Sequence, residues 1–472
     1  MSFINRFENL LERVYRQTTI INVLFIISSL FFIKVLFLWI KNDTMNSSLI
    51  NIFSFKILNF YWYINIDGIS LSFVFLTSFF IPLCMLFAIN QLSYKKLIAD
   101  YIICLLCIEV LLFIVFLVSD IILFFIFFEA ILIPFFIIIA IKGSRIRKIH
   151  ASYLLVFYTI IGSILMLISI IFIYVNIGTT MYQIFINSDY TKTRSYFLWF
   201  AFFFSFAVKL PMFPFHIWLP EAHVESPTEA SVILAAVLLK VGSYGILKIL
   251  WNFSPEATWY LSPIVCLLSC LSIVAASMST LRQVDIKRII AYSSVAHMNV
   301  LMLGIITFDH IGILGSLILM IGHGIVSGGL FFLIGLFYSR FNTKLISYYS
   351  GLANKMPIAV SIFFFLVLGN ISLPLTCNFI GEFLILYSIV KYWSVLSIFS
   401  ISFSIFIGAS YTILMFNKVS FGIETTQNHY KKNMDVNCVE FFILLPIIVL
   451  LFVTGVYPKL FFDIFLLSVG NY

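Results

Sequence analysis

The chain has 472 residues, 62% of them hydrophobic and only 10% charged, with a formal net charge of +8. Soluble domains carry about 25% charged residues, so this composition excludes a soluble enzyme and predicts an all-α polytopic membrane protein. The modest positive charge belongs in connecting loops, where it sets topology; without a basic stripe of polar aromatics it predicts no nucleic-acid partner.

The first segment, residues 1–19, places Phe3, Phe7, Leu10, Leu11 and Val14 at helical spacing. It reads as an amphipathic interfacial helix, and Glu8 and Glu12 argue against a transit peptide, which is poor in acids. Apolar runs long enough to cross a bilayer follow at about 20–40, 68–89, 101–119, 120–141, 152–176, 196–217 and 227–250. Others cover about 259–280, 287–308 and 310–338, two or three crossings share 358–417, and one lies near 439–460. Thirteen or fourteen helices are therefore predicted. The longest polar connections, 178–195 and 418–437, are too short for an extramembrane catalytic module.

Seven cysteines lie mostly inside these spans. Cys104 and Cys107 form a C-x-x-C, but on a lipid-embedded helix that pattern reads as small apolar packing. No Gly-rich nucleotide loop, haem motif or metal-ligand spacing occurs, so no cofactor is expected in this chain and any electron flow lies elsewhere.

Charges inside spans carry more information, because a lysine at a helix centre costs about 2.5–3.5 kcal/mol on insertion scales. Glu129 stands in IFFEAILIP, with apolar residues extending well to both sides and Pro134 after it. Glu109 is an intermediate case, and Asp120 marks a short connection. Lys209 closes an aromatic run and meets Pro211 and Pro214 at once, so its helix breaks there. Two readings stand for it: an ion path, since broken backbone at membrane depth must be covered by protein or water, or a cation snorkelling at the membrane edge. Lys240 lies in an apolar setting for two turns on both sides and favours the path. Lys248, nearer a helix end, leaves both readings open. His216 and His223 flank Trp218–Pro220 and read as structural, interfacial residues.

His297 follows Ser293 and Ser294 within two turns. His323 is flanked by Gly322, Gly324, Ser327, Gly328 and Gly329, which allow close helix approach or a local π-bulge. An imidazole with an ordinary pKa near ~6.5 can accept and release protons at neutral pH, although either histidine could instead be a satisfied structural one. A second broken helix is predicted at 371–386, where Pro374, Asn378 and Gly381 interrupt ISLPLTCNFIGEFLIL and Glu382 stands where the helix resumes. Two Pro-interrupted segments about 165 residues apart, each with one buried ionisable group, suggest inverted repeats, at about 101–250 and 259–417 of a transmembrane domain covering 20–472.

These motifs resemble the antiporter-like proton-pumping subunits of respiratory complex I. FFEAILIP (127–134), VKLPMFPFHIWLPEAHVESP (208–227), LLKVGSYG (238–245), LRQVDIKRIIAYSSVAHM (281–298), HGIVSGGLFFLIG (323–335) and NFIGEFLIL (378–386) carry the resemblance, which runs from about Asp67 to Pro458. HVESP (223–227), the single glutamate of IGEF (380–383) and GLANKMP (351–357) point to one paralogue. The end soon after GVYP (455–458) leaves no room for the long lateral helix of another. Two features depart from the family. Only one clear span precedes Asp67 where the family has two, and Glu229 in PTEAS (227–231) replaces a small or neutral residue. That acid either complements its helix dipole or perturbs an entry path.

The resemblance implies that Glu129 and Lys209 form an ion pair whose separation changes during turnover. It makes Lys240 the central relay, His297 and His323 connecting groups, and Glu382 the terminal donor or acceptor. Implied partners are other membrane-arm subunits, including neighbouring antiporter-like ones, and membrane lipids. Heavy Phe and Ile use with little Ala and Arg fits an organelle-encoded protein of the mitochondrial inner membrane; a bacterial plasma membrane is the alternative. A subunit of a multi-subunit cation/proton antiporter and a non-pumping scaffold are the competing functions.

Overall fold

The computed structural model describes residues 2–42, 50–57, 60–92, 98–143, 145–186, 190–392, 395–422 and 435–469. Among them, eleven helices are long and apolar enough to span a bilayer. Two further helices are interrupted, Lys192–Lys209 with Trp218–Glu225 and Pro357–Asn370 with Cys377–Tyr392, which brings the crossings to thirteen.

The first helix runs unbroken from Ser2 to Asn42, so residues 2–19 continue directly into the span without the separate element expected from their pattern. An antiparallel hairpin, Ile50–Ile57 with Phe60–Ile66, was not foreseen, because its alternation is submerged in a chain apolar nearly everywhere. The 120–141 span is also divided, into Ile121–Ala130 and Leu132–Lys142, around Pro134, whose missing N–H breaks the ladder. Asp120 caps it: one carboxylate oxygen accepts from the Ile122 N–H at 2.9 Å and the other from the Thr180 hydroxyl at 2.9 Å.

The bundle is organised from the inside out. Thr228–Phe253 and His310–Phe341 are wholly enclosed by protein along their apolar windows, whereas Lys148–Ile177 turns most of its residues outward. An apolar helix hidden all round must be packed by its neighbours, and small residues make that possible. A Cβ on Gly322 would stand 2.4 Å from Asn378 Oδ1, so the glycine lets the second broken helix reach the His323 helix. That is the close approach expected from the glycine-rich stretch; the π-bulge expected there is absent, since His310–Phe341 is α-helical throughout. The π-turns lie instead at Leu234–Leu238 and Ile246–Leu250, on either side of Lys240.

Gly381 shows the same tolerance at its limit: a Cβ would stand 2.8 Å from Leu319 N and 2.9 Å from Leu319 Cα. Gly381→Val should therefore force the two helices apart and cost about 1–3 kcal/mol. The check is the thermal unfolding midpoint of the purified protein, and an unshifted midpoint would contradict this packing.

Loops at one face of the bundle carry Arg145, Arg147, Arg282 and Lys344, and they touch one another. The Ile286 N–H donates to the Lys344 carbonyl at 3.0 Å, and the Lys344 ammonium donates to the Val224 carbonyl. Burial pushes Lys344 down to about 8, while Glu225 pulls it back up.

Candidate functional site

The first interruption comes where Pro211 and Pro214 deny the Lys192–Lys209 helix its next donors, leaving Lys209 as its last residue. The Trp218 indole N–H donates to the Val208 carbonyl at 3.0 Å and ties the resumed helix back across the break. Lys209 is 2% exposed. Its ammonium donates to the Phe128 carbonyl at 2.6 Å and lies 3.0 Å from the centre of the Phe128 ring, so carbonyl and ring face together take the place of water. Glu129, the next residue, is within electrostatic reach of Lys209 and beside Ser163, but its Oε1 has no hydrogen-bond partner. Acid and lysine are neighbours, and the cation is bonded to backbone.

Lys240 is 0% exposed and donates to the Ala235 carbonyl inside the preceding π-turn. Its Nζ also lies 2.9 Å from His323 Nδ1. His323 in turn faces His297, with ring centres 5.7 Å apart, and His297 Nδ1 lies 3.0 Å from Glu382 Oε1. Lys240, His323, His297 and Glu382 thus form one run of side chains from the π-turned helix to the second broken helix. A buried lysine beside an imidazole, and an imidazole beside a carboxylate, are groups that exchange protons over hydrogen-bond distances.

The helix carrying Glu382 resumes at Cys377, after Ser372 and Leu375 take positive φ angles of 62° and 80°. These strained residues are braced: a Cβ on Gly455 would stand 2.1 Å from the Leu375 carbonyl oxygen. Between the two groups, a Cβ on Gly242 would stand 3.4 Å from Lys209 Cβ, so the first broken helix packs on the Lys240 helix. Among the described residues no hydrogen bond joins Lys209 to Lys240. The six residues expected to act therefore fall into a pair, Glu129 and Lys209, and a connected run of four.

Other charges settle differently. Lys248 pairs with Asp67, and Glu109 is 0% exposed with neither carboxylate oxygen hydrogen-bonded. His216 stacks on Phe213 at 5.7 Å. His223, expected at an interface, is 0% exposed, stacks on Phe331 at 4.6 Å and has no hydrogen-bond partner on either ring nitrogen. Its segment, Trp218–Glu225, packs against Lys148–Ile177 and Ile286–Ile306, which its own sequence neighbourhood does not reveal. Lys287 was missed for the same reason. At the start of Ile286–Ile306 it reads as an interfacial base, yet it is 2% exposed and donates to the Ser226 carbonyl at 3.1 Å.

Residues 118–408 match the family described as NADH:quinone oxidoreductase/Mrp antiporter, TM. The chain is similar to the NADH-ubiquinone oxidoreductase chain 4 of Arabidopsis thaliana, with 45% identity over 444 residues, covering 93% of this chain and 89% of that one. It is also similar to a chain of the respiratory complex I from Thermus thermophilus with bound NADH (TM-score 0.86, 26% identity, 97% of each chain). A chain of the Mrp complex from Dietzia superposes equally well, with a TM-score of 0.86 over 97% of this chain and 93% of that one. Its 16% identity makes the likeness one of fold.

Proposed function

From the premise that the chain belongs to the NADH:quinone oxidoreductase/Mrp antiporter transmembrane family, we propose that it is a proton-translocating membrane-arm subunit of an NADH:ubiquinone oxidoreductase, driven by electron transfer in other subunits. It works as a multi-pass protein of the mitochondrial inner membrane, beside other membrane-arm subunits and lipid. The observation that carries the reading is the run Lys240–His323–His297–Glu382, joined at 2.9 Å and 3.0 Å at its two ends.

Each member has a distinct task. Glu129 sets the field at Lys209, so moving the carboxylate toward or away from the ammonium changes how tightly Lys209 holds its proton. Two unit charges at 4 Å interact by about 4 kcal/mol at an effective dielectric of 20, about three powers of ten in proton affinity. Lys240 passes a proton to the His323 imidazole, His297 takes it onward, and Glu382 holds it at the second interruption. Carrying one charge across the membrane costs about 2.3 kcal/mol per 100 mV, so a switch of this size can work against the gradient. No quinone or redox group is assigned to this chain. The two interrupted helices, with a lysine at one and a glutamate at the other, favour an origin in two inverted repeats.

The shared fold of the Mrp complex favours a second reading, a subunit of a cation/proton antiporter. Affinity purification in mild detergent separates the two. The chain should come away with flavin- and iron–sulfur-containing subunits and NADH-dependent quinone reductase activity. Recovery with antiporter subunits alone would overturn the first reading.

A further inference from the structure

Glu229 is a buried carboxylate that the relay does not use. It stands in the first turn of the Thr228–Phe253 helix, about three turns before Lys240, and is 3% exposed. The Tyr101 hydroxyl, from Ile98–Leu117, donates to its Oε2 at 2.9 Å. The Lys142 ammonium lies 5.8 Å from the centre of that tyrosine ring. Cys84, from the Gly68–Leu92 helix, donates its thiol to the Glu229 carbonyl at 3.7 Å, and Lys287 reaches the carboxylate electrostatically from Ile286–Ile306. Among the described residues, Glu229 and Lys287 make no direct ion pair, because the ammonium is spent on the Ser226 carbonyl. A carboxylate buried only to neutralise Lys287 would gain most at contact distance, where attraction offsets desolvation.

A second observation points inward. His223 stacks on Phe331, which stands on the His310–Phe341 helix about one turn from Gly335, where a Cβ would meet the Thr228 side chain, and about two turns from His323. The two ring nitrogens of His223 have no protein partner, although the residue is fully enclosed. A buried polar group left unmatched on both sides is costly unless it bonds to something that comes and goes.

We infer that Glu229 is a proton-binding residue on a side branch of the relay, positioned by Tyr101 and exchanging protons with the Lys240–His323 pair through His223. The inference rests on the relay reading given above. A proton leaves the Glu229 carboxyl oxygen through bridging water for one His223 ring nitrogen, and the other ring nitrogen releases one toward His323 or Lys240. Glu229 becomes a carboxylate facing Lys287 and is reprotonated from the face bearing Arg145, Arg282 and Lys344, which the positive-inside bias makes the inner face.

The test uses the intact complex in sealed inner-membrane vesicles. Glu229→Gln should lower proton-coupled quinone reduction by about tenfold at alkaline pH, where protons are scarce, and much less at mildly acid pH. The turnover-induced infrared difference spectrum should contain a protonated-carboxyl stretch that vanishes in Glu229→Gln. The same band should shift in Tyr101→Phe, which removes only the hydrogen bond and keeps the ring. Unchanged turnover at every pH with an unchanged carboxyl band would make Glu229 a fixed counter-charge and overturn the branch. Should Glu229→Gln fail to assemble, the Tyr101→Phe band decides: a shift supports the branch and no shift ends it. Glu129→Gln measured in parallel keeps the two ideas apart. Normal pumping there and in Lys209→Ala together would sink the relay itself, whereas normal pumping in Glu229→Gln alone sinks only the branch.

Discussion

Lys209→Ala and Glu129→Gln, made one at a time, should each cut proton-coupled quinone reduction by at least about tenfold while the complex still assembles. Assembly should survive because each change leaves the backbone of its helix and the surrounding apolar contacts in place. The charged partner left behind can neutralise itself by gaining or losing a proton, and glutamine keeps the shape of glutamate while losing its charge. Lys209→Arg is the sharper variant. Arginine can take the Phe128 carbonyl and the Phe128 ring face as lysine does, but it does not give up its proton in a protein. If Lys209 carries protons, the arginine variant should be as inactive as the alanine one; if it is a fixed charge, arginine should restore pumping. Intact assembly with normal pumping in both Lys209→Ala and Glu129→Gln would return the chain to a scaffold role.

The second large effect is expected along the run of four. Lys240→Met fills the same apolar sleeve without an ammonium, and Glu382→Gln keeps a bond to His297 without a titrating group. Each should abolish most proton delivery. Because the groups act in series, the double variant should be no worse than the worse single one, the non-additivity of residues working as a unit. Proton uptake during single turnovers, measured with a pH-sensitive dye on vesicles, reads this out. Losses that multiply in the double variant would mean that Lys240 and Glu382 serve separate paths, despite the contacts between them.

How far the sequence could be read depended on what each feature rests on. Span positions follow from local apolarity, so the observed helices lie close to the predicted ones. Both interruptions were visible, because a proline acts on its own backbone whatever surrounds it. Glu129, Lys209, Lys240 and Glu382 stood out as charges among apolar neighbours, and the pairing of Lys240 with His323 only completed that pattern. What was hidden depends on other parts of the chain. His223 and Lys287 read as interfacial from their own segments, and parts of the chain distant in sequence bury them. The hairpin at Ile50–Ile66 lay in a stretch whose apolar residues matched several structures equally well. The π-turns beside Lys240 leave no mark in composition, since they differ from α-helix only in which carbonyl each N–H selects.

Those two π-turns also turn a question of chemistry into one of counting. Each behaves as one residue too many in an otherwise ordinary helix. Deleting a single residue from Leu234–Leu238 would let that turn close into regular α-helix with both flanking segments kept in phase. Closing it with all its residues kept would instead swing everything beyond it by about 100° relative to the preceding segment. Lys240 would leave His323 for a different wall of the bundle, with its identity and its burial intact. The position of the proton carrier is therefore set partly by how this turn takes up its surplus residue, which is as much a part of the relay as the lysine.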